Sequence, residues 1–148
     1  MGGVNRLLVV DASVATKWVV PEDDSELADA LLTTAARLHA PAFLVMEVAN
    51  ALWLKMRRGE INDAQARASL EYLRRIPWAA WQGEEPLPAA LDLAKMLDHA
   101  VYDCAYLALA LHLDARYVTA DQRFWGKTQG RADLAERVLR LVDYAQRS

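Results

Sequence analysis

Short apolar runs of strand length alternate with longer segments of helical period along this chain, and that alternation restricts the fold more than any other feature. Parallel neighbours in a sheet need a crossover of a dozen or more residues, usually a helix, so the pattern predicts an α/β domain with a mainly parallel sheet. The first strand is "LLVV", Leu7 to Val10, and a helix follows from Ala12. Ser25 is expected to cap the next helix, "SELADALLTTAARL". "HAPAF" leads into "LVMEVANALWLKMRR", whose apolar residues recur at helical spacing until Gly59. Asn62 or Asp63 caps "AQARASLEYLRRI", which Pro77 ends. "WAAWQ" is a candidate strand, "AALDLAKMLD" and "VYDCAYLALALHL" are helices, "ARYVTAD" is a strand, and "ERVLRLVDY" is expected to close the sheet. The 148 residues show no repeat, low-complexity tract or linker, so one domain over residues 1–148 is expected.

Several classes of function fall away at this level. A lone Cys104 excludes an internal disulfide and fits a reducing compartment. No apolar run approaches the roughly 20 residues of a membrane span, and Asp11 interrupts the first run too early for a secretory signal. A cytoplasmic protein without membrane contact is the expectation. The net charge of −3 gives no global basic field of the kind that attracts nucleic acid. Gly2 and Gly3 precede the first strand, so they do not form a phosphate-binding turn after it.

Four acids stand out from this background. "LLVVD" delivers Asp11 and "RYVTAD" delivers Asp121 just past the carboxyl ends of strands, where open parallel sheets bind their ligands. Glu47 interrupts "FLVMEVANAL" and Asp103 interrupts "AVYDCAYLALAL", two apolar helices in which an unpaired acid is unfavourable. Asn50 lies three residues beyond Glu47, and Tyr106 three beyond Asp103, so each acid is expected to have a polar neighbour on its own helix face. Four converging carboxylates would form a cage of hard oxygen ligands suited to Mg²⁺, with Mn²⁺ as a substitute, and no Cys/His spacing points to zinc. Taken singly, Asp11 and Asp121 also read as helix caps.

In order, "VVDASVATKWV", "APAFLVMEVANALW", "VYDCAYLALALHLDARYVTADQRF" and "VLRLV" resemble the signature segments of a PIN domain, specifically the VapC-type toxins of bacterial toxin–antitoxin pairs. The resemblance implies a three-layer α/β/α sandwich with a mainly parallel central sheet. It also implies a metal-dependent endoribonuclease that hydrolyses a phosphodiester bond of RNA and is neutralised by a small cognate antitoxin. The catalytic acids would be Asp11, Glu47, Asp103 and Asp121. Asp11, Asp103 and Asp121 would be metal ligands, and Ser13 and Thr119 would steady the carboxylates by hydrogen bonds, with Asn50 beside Glu47. A homodimer is also expected. The other readings are a catalytically silent PIN-like binding module and a metal-dependent DNA nuclease or phosphatase. Retention of all four acids favours an enzyme, and the short chain favours a small RNA toxin.

The remaining features read more plainly. Lys55 and Arg58, at the end of the Glu47 helix, and Arg123 and Lys127, after Asp121, are candidates for holding RNA phosphates. His99 is read as a surface or capping residue at a helix start. Cys104 reads as a small core residue. Most of the five Trp are expected to pack, although Trp18, Trp53 and Trp125 lie near the acidic segments.

Overall fold

The computed structural model describes residues 6–147; Gly2 and Gly3 lie outside them. The strands are β1 (Leu7–Val10), β2 (Arg37–Pro41), β3 (Trp78–Trp81), β4 (Arg116–Thr119) and β5 (Val138–Arg140). The helices are α1 (Ala12–Val19), α2 (Ser25–Leu32), α3 (Leu44–Arg57), α4 (Asp63–Leu73), α5 (Leu87–Leu97), α6 (Val101–His112), α7 (Gln122–Gln129), α8 (Ala132–Ala135) and α9 (Leu141–Arg147). The strands form one sheet in the order β3-β2-β1-β4-β5, and every pairing is parallel.

That order explains the layers. The chain steps outward from β1 to β2 to β3, then returns past β1 to β4 and β5. Right-handed crossovers put connections that run in opposite directions on opposite faces. Accordingly α6 packs on β1, β2 and β4 with α5 against it, while α1 and α9 meet β4, α2 joins α9, and α3 and α4 lean on α1. Tyr117 of β4 stacks on Tyr106 of α6 and meets Phe124 of α7, which puts α7 on the α6 side. The reversal makes the crevice between β1 and β4 the topological switch point, where ligands of open α/β sheets bind. Asp11 and Asp121 both open onto it.

Local chemistry sets the boundaries. Residues Cys104 to Ala110 of α6 are all buried, the state expected of a helix apolar on every side, because it lies between the sheet and α5. Burial of Leu107 and Leu109 there contributes about 1.5–3 kcal/mol each relative to exposure. Asn62 caps α4 through a capping box with Gln65. Gly59, at φ +72°, takes the left-handed turn that follows α3. Ser25 is not the cap of α2. Asp24 holds that place with φ 65°, and the Ser25 hydroxyl, one residue into the helix, instead accepts the Glu22 N–H at 2.9 Å.

Candidate metal centre

Asp11 follows β1 directly, and its carboxylate is buried. Oδ1 accepts from Ser13 Oγ at 2.5 Å and from the Val14 N–H at 3.2 Å; Oδ2 accepts from Tyr117 OH at 2.5 Å and Thr119 Oγ1 at 2.6 Å. The Val14 bond makes Asp11 the N-cap of α1, so the capping reading and the site reading hold together. Burial pushes its carboxyl above the ordinary carboxylate range, and the four donors offset part of that rise. Four donors fill the roughly four acceptor positions of a carboxylate.

Thr119 and Ser13 carry this network across to β4. The Thr119 hydroxyl also accepts the Asp121 N–H at 3.0 Å, and Ser13 Oγ accepts the Ala120 N–H at 3.0 Å. Asp121 in turn caps α7 by accepting the Phe124 N–H at 3.1 Å. Its place is thus fixed from both sides.

Asp103 sits in the first turn of α6 with its side chain 35% exposed. His99 Nε2 lies 2.5 Å from Asp103 Oδ2, and the His99 side chain is only 10% exposed. The surface or capping reading of His99 is therefore overturned. Asp98, in a left-handed conformation at the end of α5, turns the chain toward α6, and His99 reaches Asp103 four residues ahead. The Phe124 ring meets the imidazole edge at 5.0 Å. Ligand atoms of His99, Asp103 and Asp121 lie within 4.8 Å of one another. Asp11 and Glu47 are not members of that group.

Glu47, in the first turn of α3, receives a hydrogen bond from Tyr106 OH. Burial raises its carboxyl above the usual range, the Tyr106 bond lowers it, and the charges of Asp103 and Asp11 raise it again. Those last two influences place Glu47 within electrostatic reach of both acids. Asn50 is exposed, and Glu47 takes its partner from α6 instead; Tyr106 correspondingly serves Glu47 rather than Asp103. Proximity along one helix surface gave way to contact between two helices, because Tyr106 faces the start of α3, where its ring also meets Phe43 at 5.3 Å.

The candidate phosphate-binding residues divide. Lys55 is 2.8 Å from Glu22 and 3.5 Å from Glu60, and Arg58 is 4.0 Å from Glu60, at the end of α3 remote from Glu47. Three turns of helix separate Arg58 from Glu47, about 16 Å. Lys127 Nζ donates to the Asp98 carbonyl at 2.6 Å, beside the His99 turn, and Arg123 is exposed on α7. Trp18 is buried with its indole N–H on the Ala28 carbonyl at 2.8 Å, Trp125 lies 4.4 Å beneath the Arg140 guanidinium, and Trp53 is 52% exposed. Cys104 is buried in the core, and burial lifts its thiol to about 11, so it is no nucleophile at neutral pH.

Two carboxylates and an imidazole converging at a switch point, with the Glu47 carboxyl raised by burial and partly by the charge of Asp103, form a donor set that fits a divalent cation. His99 and Tyr117 are the members of this arrangement that sequence reasoning missed, and Tyr106 was assigned to Asp103 instead of Glu47. The i, i+4 spacing of His99 and Asp103 was the signal available for the first.

A model of the PIN domain matches residues 8–127 of the chain. The chain is 36% identical over 122 residues to Ribonuclease VapC3 of Pyrobaculum aerophilum, which spans 78% of this chain and 90% of that protein. It is 32% identical over 117 residues to Ribonuclease VapC1 of Mycobacterium tuberculosis, across 78% of this chain and 86% of the relative. The crystal structure of PAE2754 from Pyrobaculum aerophilum shares the fold, with a TM-score of 0.70 at 22% identity over 95% of this chain and 94% of that one. With its parallel sheet, its acids after β1 and β4 and these relatives, the chain belongs to the PIN domain family, among its VapC-type members.

Proposed function

We propose that the protein is a metal-dependent endoribonuclease, the toxin of a toxin–antitoxin pair. The observation that carries this reading is the convergence of Asp103, Asp121 and His99 beside Glu47 at the β1/β4 switch point. The names of the VapC relatives, all ribonucleases, supply the substrate class.

Asp103 and Asp121 would hold the ion, Mg²⁺ or Mn²⁺. A divalent ion bound there would polarise the scissile phosphate and lower the pKa of the attacking water. Glu47, raised by burial and neighbouring charge, would take the proton of that water, and Tyr106 holds its carboxyl by a hydrogen bond. Asp11 was expected as a direct ligand, but its acceptor positions are filled by Ser13, Val14, Tyr117 and Thr119. We therefore assign it a bracing role, in which it fixes the Asp121 turn through Thr119. Arg123 and Lys127 on α7 are the cations we assign to backbone phosphates, which position RNA without reading its sequence.

Protein partners are assigned to α3. Val45, Met46, Trp53 and Leu54 are exposed there, Met46 by 73%, and such apolar surface suits the cognate antitoxin and a second copy of the chain. Among the described residues no helix is long and apolar enough to cross a membrane.

The test is cleavage of total cellular RNA by purified, antitoxin-free protein with Mg²⁺, with Mn²⁺ and with chelator, the cut ends being mapped. Discrete cuts that require the ion and are absent from Asp121→Asn are the expected result. Uncut RNA with a folded, metal-loaded protein would refute the reading.

A further inference from the structure

Building on the cation site proposed above, we infer that His99 is a direct ligand of the ion held by Asp103 and Asp121, which makes the centre a mixed nitrogen–oxygen site that discriminates for Mn²⁺ against Mg²⁺.

The imidazole is already in place. Its Nε2 is 2.5 Å from Asp103 Oδ2, and a ring nitrogen of His99 belongs to the group of ligand atoms lying within 4.8 Å of one another. An ion with bonds of about 2.1 Å spans such a group after small side-chain movements. The side chain is nine-tenths buried, and the Phe124 ring at 5.0 Å limits its rotation. Its backbone is tied as well: the His99 N–H donates to the Ala94 carbonyl at 3.1 Å, and Lys127 holds the preceding carbonyl at 2.6 Å. Little conformational freedom is therefore left to lose on binding.

Charge favours the same assignment. Two carboxylates already balance a dication, so a neutral imidazole adds a donor without adding repulsion, whereas a third carboxylate would leave the site negative. Asp11 accepts from four protein groups, which fill its acceptor positions, whereas Asp121 accepts the Phe124 N–H on Oδ1 and keeps positions for the ion. Donor chemistry then sets the preference. Mg²⁺ prefers oxygen ligands and retains its waters, while imidazole nitrogen gains in relative strength with Mn²⁺ and later metals. An all-carboxylate site has no such lever.

The experiment uses the full chain without RNA. Mn²⁺-loaded wild type is studied by pulsed electron paramagnetic resonance in natural-abundance and ¹⁵N-histidine-labelled forms, and Mn²⁺ and Mg²⁺ affinities are measured by calorimetry. A directly bound nitrogen coupling that changes with the label is expected. His99→Ala, and His99→Gln if the first variant fails to fold, should abolish the coupling and weaken Mn²⁺ by at least about 10-fold, the loss typical of disturbing a metal's surroundings. Mg²⁺ should weaken by a smaller factor. Binding of Mn²⁺ that Asp103→Asn removes but that shows no histidine coupling in wild type would overturn this inference and leave the proposed function standing. Equal loss of both ions in the His99 variants would assign His99 to orienting Asp103, and also overturn it. Failure of wild type to bind either ion would overturn both.

Discussion

The Thr119 hydroxyl donates to Asp11 Oδ2 at 2.6 Å and accepts the Asp121 N–H at 3.0 Å, so one side chain couples the acid after β1 to the acid after β4. Thr119→Val keeps the shape and removes both bonds. It should destabilise the protein by about 1–3 kcal/mol, because a buried carboxylate loses a donor and a backbone N–H loses its acceptor. Thr119→Ser should restore most of the loss. Urea unfolding of the three proteins measures it, and a Val variant as stable as wild type would contradict the coupling.

Asp103 is part-exposed, so Asp103→Asn should change unfolding free energy by no more than about 0.5 kcal/mol. RNA cleavage should nevertheless fall to background, since an amide is a poor ligand for a hard cation. Mn²⁺ at about 100 times its Kd should stabilise wild type by roughly 2.7 kcal/mol and leave the variant unmoved. Thermal melts with ion and with chelator provide the comparison.

Stability in chelator should depend on pH through Asp11. Its folded carboxyl lies above the ordinary 3.8, mainly through burial, so between those two values the folded state binds more protons than the unfolded chain. The contribution of Asp11 is accordingly most favourable at the acid end of that window and is lost as pH rises through it. Asp11→Asn removes this contribution, and its side-chain oxygen can still cap α1. The stability difference, wild type minus variant, should decline with rising pH across the window. A difference that grows with pH would mean the Asp11 carboxyl is lowered by its four donors rather than raised by burial.

Tyr106→Phe deletes the donor to Glu47 and nothing else in the ring packing. Because that bond holds the Glu47 carboxyl down, its loss should raise the group further and move the acid limb of the cleavage profile to higher pH. Stability should fall by about 1.5–3 kcal/mol, the range for a hydrogen bond to a charged group. A pH profile identical to wild type would remove Glu47 from proton transfer.

Arg123→Ala should weaken RNA binding uniformly across sequences and reduce the slope of log affinity against log salt by about 1. Lys55→Ala should leave that slope unchanged, because Lys55 is committed to Glu22 and Glu60. Binding of a non-cleavable RNA across a salt series separates the two.

The sequence by itself determined the α/β class, the strands β1, β3 and β4 and the four acids, because each follows from short-range chemistry. β2 was not legible, since its first residues read as the end of the second helix, and the expected closing strand is confined to Val138–Arg140, with helix α9 following it. Four consecutive apolar residues before Asp11 require burial, Asn62 and Gln65 cap a helix within one turn, and an acid in an apolar helix requires a partner. Which partner it has was decided only by the tertiary structure. Glu47 bonds to Tyr106, 59 residues away, rather than to Asn50 on its own helix, because the packing of α6 brings the hydroxyl there. Lys55 turned to Glu22 for the same reason. His99 joined the acids because Asp98 adopts a left-handed conformation that turns the chain toward α6, and that conformation is chosen by the packing around it rather than by an aspartate, which tolerates the turn without requiring it.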